Sequence, residues 1–206
     1  MNENLHYKIV PLNTLLLAYN NNIELVQREL DKFSCILNKD VEKFLREKAI
    51  LFDRQGWSKT HLLYTSYKGA MILVGYFTLA NKNFVVKNNS RISKTLKKKV
   101  ANFGQYNEEL KQYIVPSLLI AQLGKNDSYR FLLTGDVLLK YACDEVYKVQ
   151  NIVGGKFVYL ECEDKERLKE FYISNGFTVF GERKLESDEK DDFKSSYLIQ
   201  MLRYLK

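Results

Sequence analysis

The 206-residue chain has few of the residues that build cross-linked or metal-bound proteins: three cysteines and two histidines. Cys35, Cys143 and Cys162 show no metal-ligand spacing and cannot all pair. Cys143 and Cys162 lie among apolar residues, so we expect them to be small core side chains in a reducing compartment. Long hydrophobic runs are also missing, since the longest, Ala70 to Ala80, falls far short of the ~20 residues of a spanning helix. The first ten residues lack the pattern of a signal peptide. These absences predict a soluble, cytoplasmic protein with no membrane and no metal site.

What the chain does contain is typical of a folded globule. Apolar residues make up 46% and aromatic residues 13% of the sequence, which argues against disorder. The length suits one domain with room for an insertion. The formal net charge of +7 favours an anionic partner, and a phosphate-rich cofactor explains that charge as readily as nucleic acid does.

One stretch organises the chain. An apolar run, Leu118–Leu123, is bounded by Pro116 and Gly124 and predicts a buried strand. A turn-prone segment, Lys125 to Ser128, follows, and Gly135 introduces a helix whose apolar residues recur at helical spacing. The free N–H groups at such a helix start can hold a diphosphate. An ordinary strand-to-helix connection of an α/β protein has the same pattern, and physics alone favours that interpretation.

The other elements are predicted from periodicity, capping and turn residues. The segment Leu15–Tyr19 stays ambiguous between helix and loop. In chain order we expect a strand Tyr7–Val10, a helix Glu24–Leu37, a helix capped by Asp40 with Gly56 at its exit, a hairpin of Thr60–Ser66 and Ala70–Leu79, a strand Lys156–Glu163 parallel to the central one, a helix capped by Asp164 and ended by Gly176, and a closing hairpin of Thr178–Arg183 and Ser196–Leu205 around a carboxylate-rich loop, Glu186–Asp192.

Between the first hairpin and the central strand lies a basic segment, Lys87–Lys99, with six basic residues and no acidic one. Ser93 can cap a short helix that holds Leu96 and Val100 inward. A solvated helical face is the favoured interpretation. The alternative is contact with nucleic acid phosphates or with the 3′-phosphate of coenzyme A, although few aromatic residues are nearby for base stacking.

Two stretches resemble the GNAT superfamily of N-acyltransferases. The segment Ala121–Gly135 is similar to its acyl-CoA motif, with Arg130 on the Gln/Arg position and Gly135 on the final Gly/Ala position. Leu133 departs from the motif, because it stands where the family has its first glycine. The later stretch, Phe157–Phe177, resembles the family's next strand and a helix ending in F-Y-x-x-x-G-F.

The resemblance implies an α/β GNAT fold: a mixed, twisted sheet with two N-terminal helices and splayed parallel central strands. It implies a single domain over residues 1–206 with a basic insertion at about 84–108. In this fold the connection between the N-terminal helices helps to wall the acceptor site, and acetyl-CoA is the acyl donor. It places the cofactor-binding residues at Leu123, Gly124, Lys125, Arg130, Phe131, Leu132, Leu133, Thr134, Gly135, Asp136 and Lys165. Lys165 stands where many relatives carry an asparagine.

For catalysis, the resemblance implies that a backbone N–H near Leu123 to Lys125 polarises the thioester carbonyl. Tyr172 matches the tyrosine that faces the thioester sulfur, and a core aromatic is its alternative. Glu161 and Glu163 share one strand face. Glu161 is the candidate base, acting directly or through water, and exposure at the strand end is the alternative for both.

The predicted function is an acetyl-CoA-dependent N-acetyltransferase that transfers an acetyl group to a primary amine. One alternative is a toxin-like relative that acts on aminoacyl-tRNA or on a protein. A second is a catalytically silent module that binds coenzyme A or a partner, which the Leu133 departure supports. The expected partners are acetyl-CoA and an amine acceptor. Nucleic acid bound through Lys87–Lys99 is not favoured, and the sequence leaves a homodimer open.

Overall fold

A computed structural model describes residues 5–90, 92–185 and 196–206. The predicted carboxylate-rich loop, Glu186–Asp192, lies outside the described residues. The strands are β1 (Tyr7–Pro11), β2 (Lys59–Tyr67), β3 (Ala70–Lys87), β4 (Gln105–Asn107), β5 (Gln112–Lys125), β6 (Phe157–Cys162), β7 (Thr178–Lys184) and β8 (Tyr197–Tyr204). The helices are α1 (Leu12–Ala18), α2 (Ile23–Leu30), α3 (Lys39–Lys43), α4 (Ala49–Arg54), α5 (Lys94–Phe103), α6 (Gly135–Val153) and α7 (Glu166–Ser174).

The chain forms two compact units, each built from two separate segments. Unit 1 comprises Met1–Ala80 and Ala121–Asp144, and unit 2 comprises Asn81–Ile120 and Glu145–Lys206. Strands β3 and β5 and helix α6 therefore contribute residues to both units. The prediction of a single domain with an insertion at about 84–108 stays a prediction.

The helices of unit 1 begin at asparagine caps. The Asn22 side chain accepts a hydrogen bond from Leu25 N, and the Asn38 side chain accepts one from Val41 N. The predicted Asp40 cap is therefore wrong by two positions, since Asp40 lies inside α3 and the extended Asn38 precedes it. Helix α2 ends at Leu30, before the predicted Leu37, and the ambiguous segment after β1 is helical as α1.

A π-helical turn, Phe44–Lys48, joins α3 to α4 and keeps the apolar face directed inward. The unit 1 core places this face and α1 and α2 against β2 and β3, with Phe33, Leu45 and Ala49 fully buried. The Phe33 ring packs edge-on against Tyr76, with centroids 5.0 Å apart, and the Tyr76 hydroxyl donates to the Val41 carbonyl. Packing of an amphipathic face, rather than local helix propensity, holds such short helices in place.

In unit 1 the hydrogen-bonded strand order is β1-β2-β3-β5. The predicted hairpin of β2 and β3 is confirmed, with Lys68 and Gly69 at positive φ in its turn. Two successive residues at positive φ match the right-handed twist of the flanking strands. Strand β3 continues to Lys87, beyond its predicted end at Leu79.

In unit 2 the order is β5-β6-β8-β7, with β4 beside β5. The predicted parallel pairing is confirmed: β5 and β6 pair from Leu118–Val158 to Ile120–Leu160. Strands β7 and β8 pair antiparallel, as the predicted closing hairpin requires. Strand β8 also pairs antiparallel with β6, a pairing that the sequence did not predict. The sheet of unit 2 is therefore mixed, with one parallel pair beside antiparallel ones.

Two further caps were predicted in unit 2. Ser93 caps α5 by accepting from Leu96 N, as expected, and Gly176 ends α7 at a positive φ of 82°. The predicted Asp164 cap is wrong, because Lys165 occupies the cap position of α7 without a side-chain cap. The Asp164 carboxylate instead binds Lys169 Nζ at 2.8 Å and accepts from the Tyr197 hydroxyl at 2.8 Å.

Within the described ranges, no helix is both long and apolar enough to cross a membrane. The same ranges hold no group of three or more histidine, cysteine, aspartate or glutamate side chains able to ligate a metal.

Candidate functional site

Most residues predicted to bind the cofactor belong to unit 1: Leu123 to Lys125 and Arg130 to Asp136. The two residues predicted to react, Glu161 and Tyr172, belong to unit 2, together with the predicted cofactor-binding residue Lys165.

The loop between β5 and α6, residues 126–134, is the cofactor loop of the sequence prediction. It opens with a 3₁₀ turn, Asp127–Tyr129, and Leu132 N then donates to the Tyr129 carbonyl at 2.9 Å. Two of its carbonyl oxygens are turned toward donors of unit 1. The Tyr7 hydroxyl donates to Leu132 O at 2.6 Å, and Lys125 Nζ donates to Leu133 O at 3.2 Å. Carbonyls engaged in this way do not repel an anion outside the loop.

Leu133, the departure from the family motif, has a buried side chain that is 2% exposed. It occupies space above a glycine of β3, because a Cβ atom added at Gly75 would lie 2.7 Å from Leu133 Cδ2. Gly75 of β3 thus leaves the space that the Leu133 side chain occupies in place of the family's loop glycine. The bulk of Leu133 is therefore directed into the interior.

Helix α6 begins at Gly135 with a local side-chain cap. The Thr134 hydroxyl accepts from Val137 N at 3.3 Å. Arg130 and Thr134 are exposed, and Phe131 is 66% exposed. Asp136 places a carboxylate in the first helical turn, which stabilises the helix but would repel a bound phosphate. Lys125 and Arg130 are the nearby sequence positions that carry the opposite charge.

At the end of β5, Gly124 allows a helix to approach the strand closely. An added Cβ atom would lie 2.3 Å from Val41 Cγ1 and 3.1 Å from Phe33 Cζ. Real Cβ atoms do not come so close to other carbons, so this position requires glycine for packing. The close approach brings the start of α3 directly over the strand end that the resemblance assigns to the carbonyl donor.

Asn126 is a residue that the sequence analysis treated only as part of a turn. It is fully buried and its side chain makes four hydrogen bonds. Its Oδ1 atom accepts from Ser34 N at 3.3 Å and Ser128 N at 3.2 Å, and its Nδ2 atom donates to Lys32 O at 3.1 Å and Leu73 O at 2.9 Å. Three of these partners lie more than fifty residues away in sequence, so no local pattern could have revealed them.

In unit 2, Tyr172 is a buried aromatic residue of α7, 8% exposed. Its ring lies 4.9 Å from Phe171 and 5.9 Å from Phe177, centroid to centroid. Burial, followed by the neighbouring Cys162, raises the pKa of the Tyr172 phenol well above its usual range. The phenol therefore keeps its proton at neutral pH and can act as a hydrogen-bond donor.

Glu161 holds a fixed position, since both of its carboxylate oxygens accept hydrogen bonds. Arg183 Nε donates to Oε2 at 2.8 Å, and Gln200 Nε2 donates to Oε1 at 2.8 Å. Each oxygen keeps a further lone pair that can accept a hydrogen bond from an amine. Glu163 does not share this arrangement, because it pairs with Lys165 Nζ at 2.6 Å.

Glu161 also lines the main groove of unit 2, which encloses about 930 Å³. Its walls come from the second half of β3, the segment after it, β6, β7 and β8. Phe84 lies at its base and packs against Phe180 and Tyr159, with centroids 5.0 and 5.6 Å apart. The buried Ser90 hydroxyl also lines it and has no hydrogen-bond partner within the described part of the chain. The volume lies in the range of ligand-binding sites.

The basic helix α5 uses its lysines in two ways. Lys97 Nζ donates to the Asn88 carbonyl, and Lys99 Nζ lies 3.8 Å from the centre of the Tyr204 ring. Lys94 and Lys98 are exposed. Close by in sequence, Phe103 and Tyr106 are 46% and 37% exposed. Half of the helix lysines thus serve packing within unit 2, and the other half face outward.

Solved structures with the same fold were found by structural comparison. A tyrosine-to-phenylalanine mutant of KacT is 18% identical, with 94% of this chain and 93% of that chain covered at a TM-score of 0.60. AtaT complexed with acetyl-methionyl-tRNAfMet is 18% identical, with 94% of each chain covered at 0.61. A mutant AtaT toxin bound to the C-terminus of the antitoxin AtaR and acetyl-CoA is 16% identical, with 98% and 94% covered at 0.56.

No protein-family model matches the sequence, and no curated protein matches it. The likeness therefore rests on structure, and it shows the fold. The chain has the GNAT fold that the two sequence stretches predicted, with a mixed sheet and parallel central strands.

Proposed function

We propose that the protein is an acetyl-CoA-dependent N-acetyltransferase that acts on a primary amine. The observation that carries the proposal is the segment of unit 1 formed by β5, the cofactor loop and the start of α6. The Leu132 and Leu133 carbonyls of this loop accept bonds from Tyr7 and Lys125, and Thr134 at the helix start and the basic residue Arg130 are exposed. AtaT, which has the same fold, was solved with acetyl-CoA. The helix start would hold the diphosphate through backbone N–H groups, and Arg130 and Lys125 would supply charge.

Tyr172 has the role of hydrogen-bond donor to the thiolate that leaves when the thioester breaks. Its raised pKa supports this role over proton transfer, because a phenol that holds its proton tightly is a poor acid. The donated hydrogen bond stabilises charge that develops only during the reaction.

Glu161 and the groove of unit 2 would receive the acceptor amine. The held carboxylate offers a negative charge with a fixed position, 15% exposed, at the edge of the groove. Arg183 and Gln200 hold the carboxylate in a fixed orientation, which supports recognition of the amine, and a base role is the alternative. Glu161→Gln separates the two: loss of recognition raises KM for the acceptor, whereas loss of a base lowers kcat and removes the acidic limb of its pH profile.

Cofactor binding is the first experiment. Calorimetry is expected to detect acetyl-CoA binding to the wild type, and Gly135→Asp is expected to weaken it by about tenfold or more, because it adds bulk and negative charge at the helix start. The matched control is Asn151→Asp, which adds the same charge at the exposed C-terminal end of α6. Wild-type protein that does not bind acetyl-CoA, or equal losses in both variants, would contradict the proposal.

A second candidate function names the acceptor as an aminoacyl-tRNA. Two observations favour it: AtaT was solved with acetyl-methionyl-tRNAfMet, and Lys94 and Lys98 of α5 face outward. Two lysines form a small phosphate-binding surface, to which the exposed rings of Phe103 and Tyr106 would add stacking.

The salt dependence of tRNA binding tests this candidate. Changing Lys94 and Lys98 to glutamine is expected to reduce the slope of log K against log salt by about 1.5 to 2, because fewer counterions are released. The control changes Lys32 and Lys148 to glutamine, two exposed lysines that are paired with Glu29 and Glu145. Binding that does not depend on salt, or an equal fall in the control, would leave α5 as a solvated face.

The cytoplasmic location and the homodimer stay predictions. Sedimentation of the purified protein with and without acetyl-CoA measures whether it forms a homodimer.

A further inference from the structure

The segment between α2 and α3, residues 31–38, is bound to the residues that end β5. We call this segment the α2–α3 loop. Asp127 N donates to Ser34 O at 2.8 Å, and Ser34 N donates to Asn126 Oδ1 at 3.3 Å. Two residues later, Ile36 N donates to Asp127 Oδ2 at 2.6 Å. One bond between backbone groups and two bonds to side-chain oxygens therefore join the backbone of the loop to Asn126 and Asp127.

Further contacts join the two segments before and after these residues. Asn126 Nδ2 reaches back to Lys32 O, and Gln122 Nε2 donates to Asp40 Oδ2 at 3.1 Å. Gly124 lies against Val41 with no space for a side chain. All of these residues belong to unit 1. Three alternate positions, Gln122 and Gly124 of β5 and Asn126 just after it, therefore contact the loop and the start of α3, and Asp127 follows them.

Two side chains of the loop are buried, and the two that follow them are exposed. Phe33 is fully buried and Cys35 is 8% exposed, whereas Ile36 is 68% exposed and Leu37 is 85% exposed. An exposed segment without apolar burial is normally among the more mobile parts of a protein, because little opposes its conformational entropy. Here hydrogen bonds add order: Asp127 accepts from Ile36 N at 2.6 Å, and Glu42 of α3 accepts from Cys35 N at 2.7 Å.

Asn126 and Asp127 also form the beginning of the cofactor loop. Asp127 starts the 3₁₀ turn, Tyr129 N donates to Asn126 O at 3.0 Å, and Tyr129 O accepts from Leu132 N. A displacement of residues 130–134 is therefore transmitted through one tight turn to the two residues that hold the α2–α3 loop.

We propose that Asn126 and Asp127 are positioning residues that couple the α2–α3 loop to the cofactor loop, so that acetyl-CoA binding orders the α2–α3 loop. This inference rests on the proposed function. It adds an order of binding to that function. The resemblance assigns the α2–α3 loop to the wall of the acceptor site, so bound acetyl-CoA would order the surface that the acceptor amine then contacts. A ligand that restricts one loop lowers the entropy cost of ordering the other.

Hydrogen exchange of the peptide covering residues 31–38, with and without acetyl-CoA, tests the coupling. In the wild type we expect acetyl-CoA to slow exchange in this peptide. In Asp127→Ala the slowing is expected to be lost, although acetyl-CoA still binds. Asp127→Asn keeps an acceptor oxygen for Ile36 N and is expected to retain part of the slowing.

Glu42→Ala is the matched control, because Glu42 anchors the same loop from α3 and not from the cofactor loop. It is expected to speed exchange in both states while the difference made by acetyl-CoA remains. Acetyl-CoA binding with unchanged exchange in the wild type, or full slowing in Asp127→Ala, overturns the coupling alone. Failure of acetyl-CoA to bind the wild type overturns the proposed function and the coupling together.

Discussion

The two candidate regions are built by different kinds of interaction. In unit 1 the cofactor loop is shaped by side chains that bind distant backbone groups, as Asn126 and Tyr7 do. In unit 2 the candidate reacting groups pair with other side chains: Glu161 with Arg183, Lys165 with Glu163, and Tyr172 with neighbouring rings. In unit 1 the proposed binding of acetyl-CoA depends on the backbone conformation of the cofactor loop. In unit 2 the proposed chemistry depends on a few side chains that can be substituted without changing the backbone. The first region should therefore lose stability when altered, and the second should lose rate.

The largest effect is expected for Asn126→Ala, which tests the unit 1 side of this comparison. It removes the Asn126 partner of the Leu73 carbonyl in a buried place, and that of the Lys32 carbonyl and the Ser34 N–H in partly buried places. Each unpaired buried group costs roughly 1–3 kcal/mol, so we expect a loss of about 3 kcal/mol or more in the free energy of unfolding. Urea denaturation followed by circular dichroism measures it.

Asn107→Ala provides the control, because the Asn107 side chain accepts only a local hydrogen bond, from Leu110 N in an exposed turn. We expect it to cost about 1 kcal/mol or less. Equal losses in the two variants would show that the long-range bonds of Asn126 contribute nothing beyond a turn.

These contacts also mark what could be predicted from the sequence. Ser93, Gly176 and the hairpin turn at Lys68-Gly69 were predictable, because a cap or a tight turn depends on residues within four positions. The caps at Asp40 and Asp164 were missed by one or two positions, since several polar residues compete at each helix start. The role of Asn126 was not predictable, because its partners Ser34 and Leu73 are 92 and 53 residues away. The Leu133 departure likewise became interpretable only beside Gly75.

Tyr172→Phe tests the unit 2 side. The change keeps the ring contacts with Phe171 and Phe177, so the free energy of unfolding and acetyl-CoA binding should change little. Loss of a hydrogen bond to a developing charge is expected to raise the barrier by about 1.5–3 kcal/mol, roughly ten- to a hundred-fold in rate. Acyl transfer, or slow thioester hydrolysis, is measured at equal cofactor saturation. A variant that loses stability and keeps its rate would make Tyr172 a core residue and remove the contrast between the units.

The smallest expected effect is the pH dependence of stability caused by Cys162, which lies near Tyr172 in unit 2. Burial, followed by the nearby Asp164 carboxylate, raises the pKa of the Cys162 thiol to about 11 from 9.0. A raised pKa means that the unfolded chain loses this proton first. The thiol's contribution to stability is therefore complete below pH 9 and declines as the pH rises from 9 to about 11.

Unfolding free energies measured in urea between pH 8 and 11 show whether this decline exists. Cys162→Ala is expected to flatten part of it, while the buried tyrosines, including Tyr172, account for the remainder because their pKa values are raised as well. Val158→Ala removes buried volume from the same strand without removing a titrating group, so it should lower stability equally at every pH. If Cys162→Ala follows the wild-type slope, the thiol is not held neutral by its surroundings. The packing around Tyr172 would then be looser than its role as a fixed hydrogen-bond donor requires.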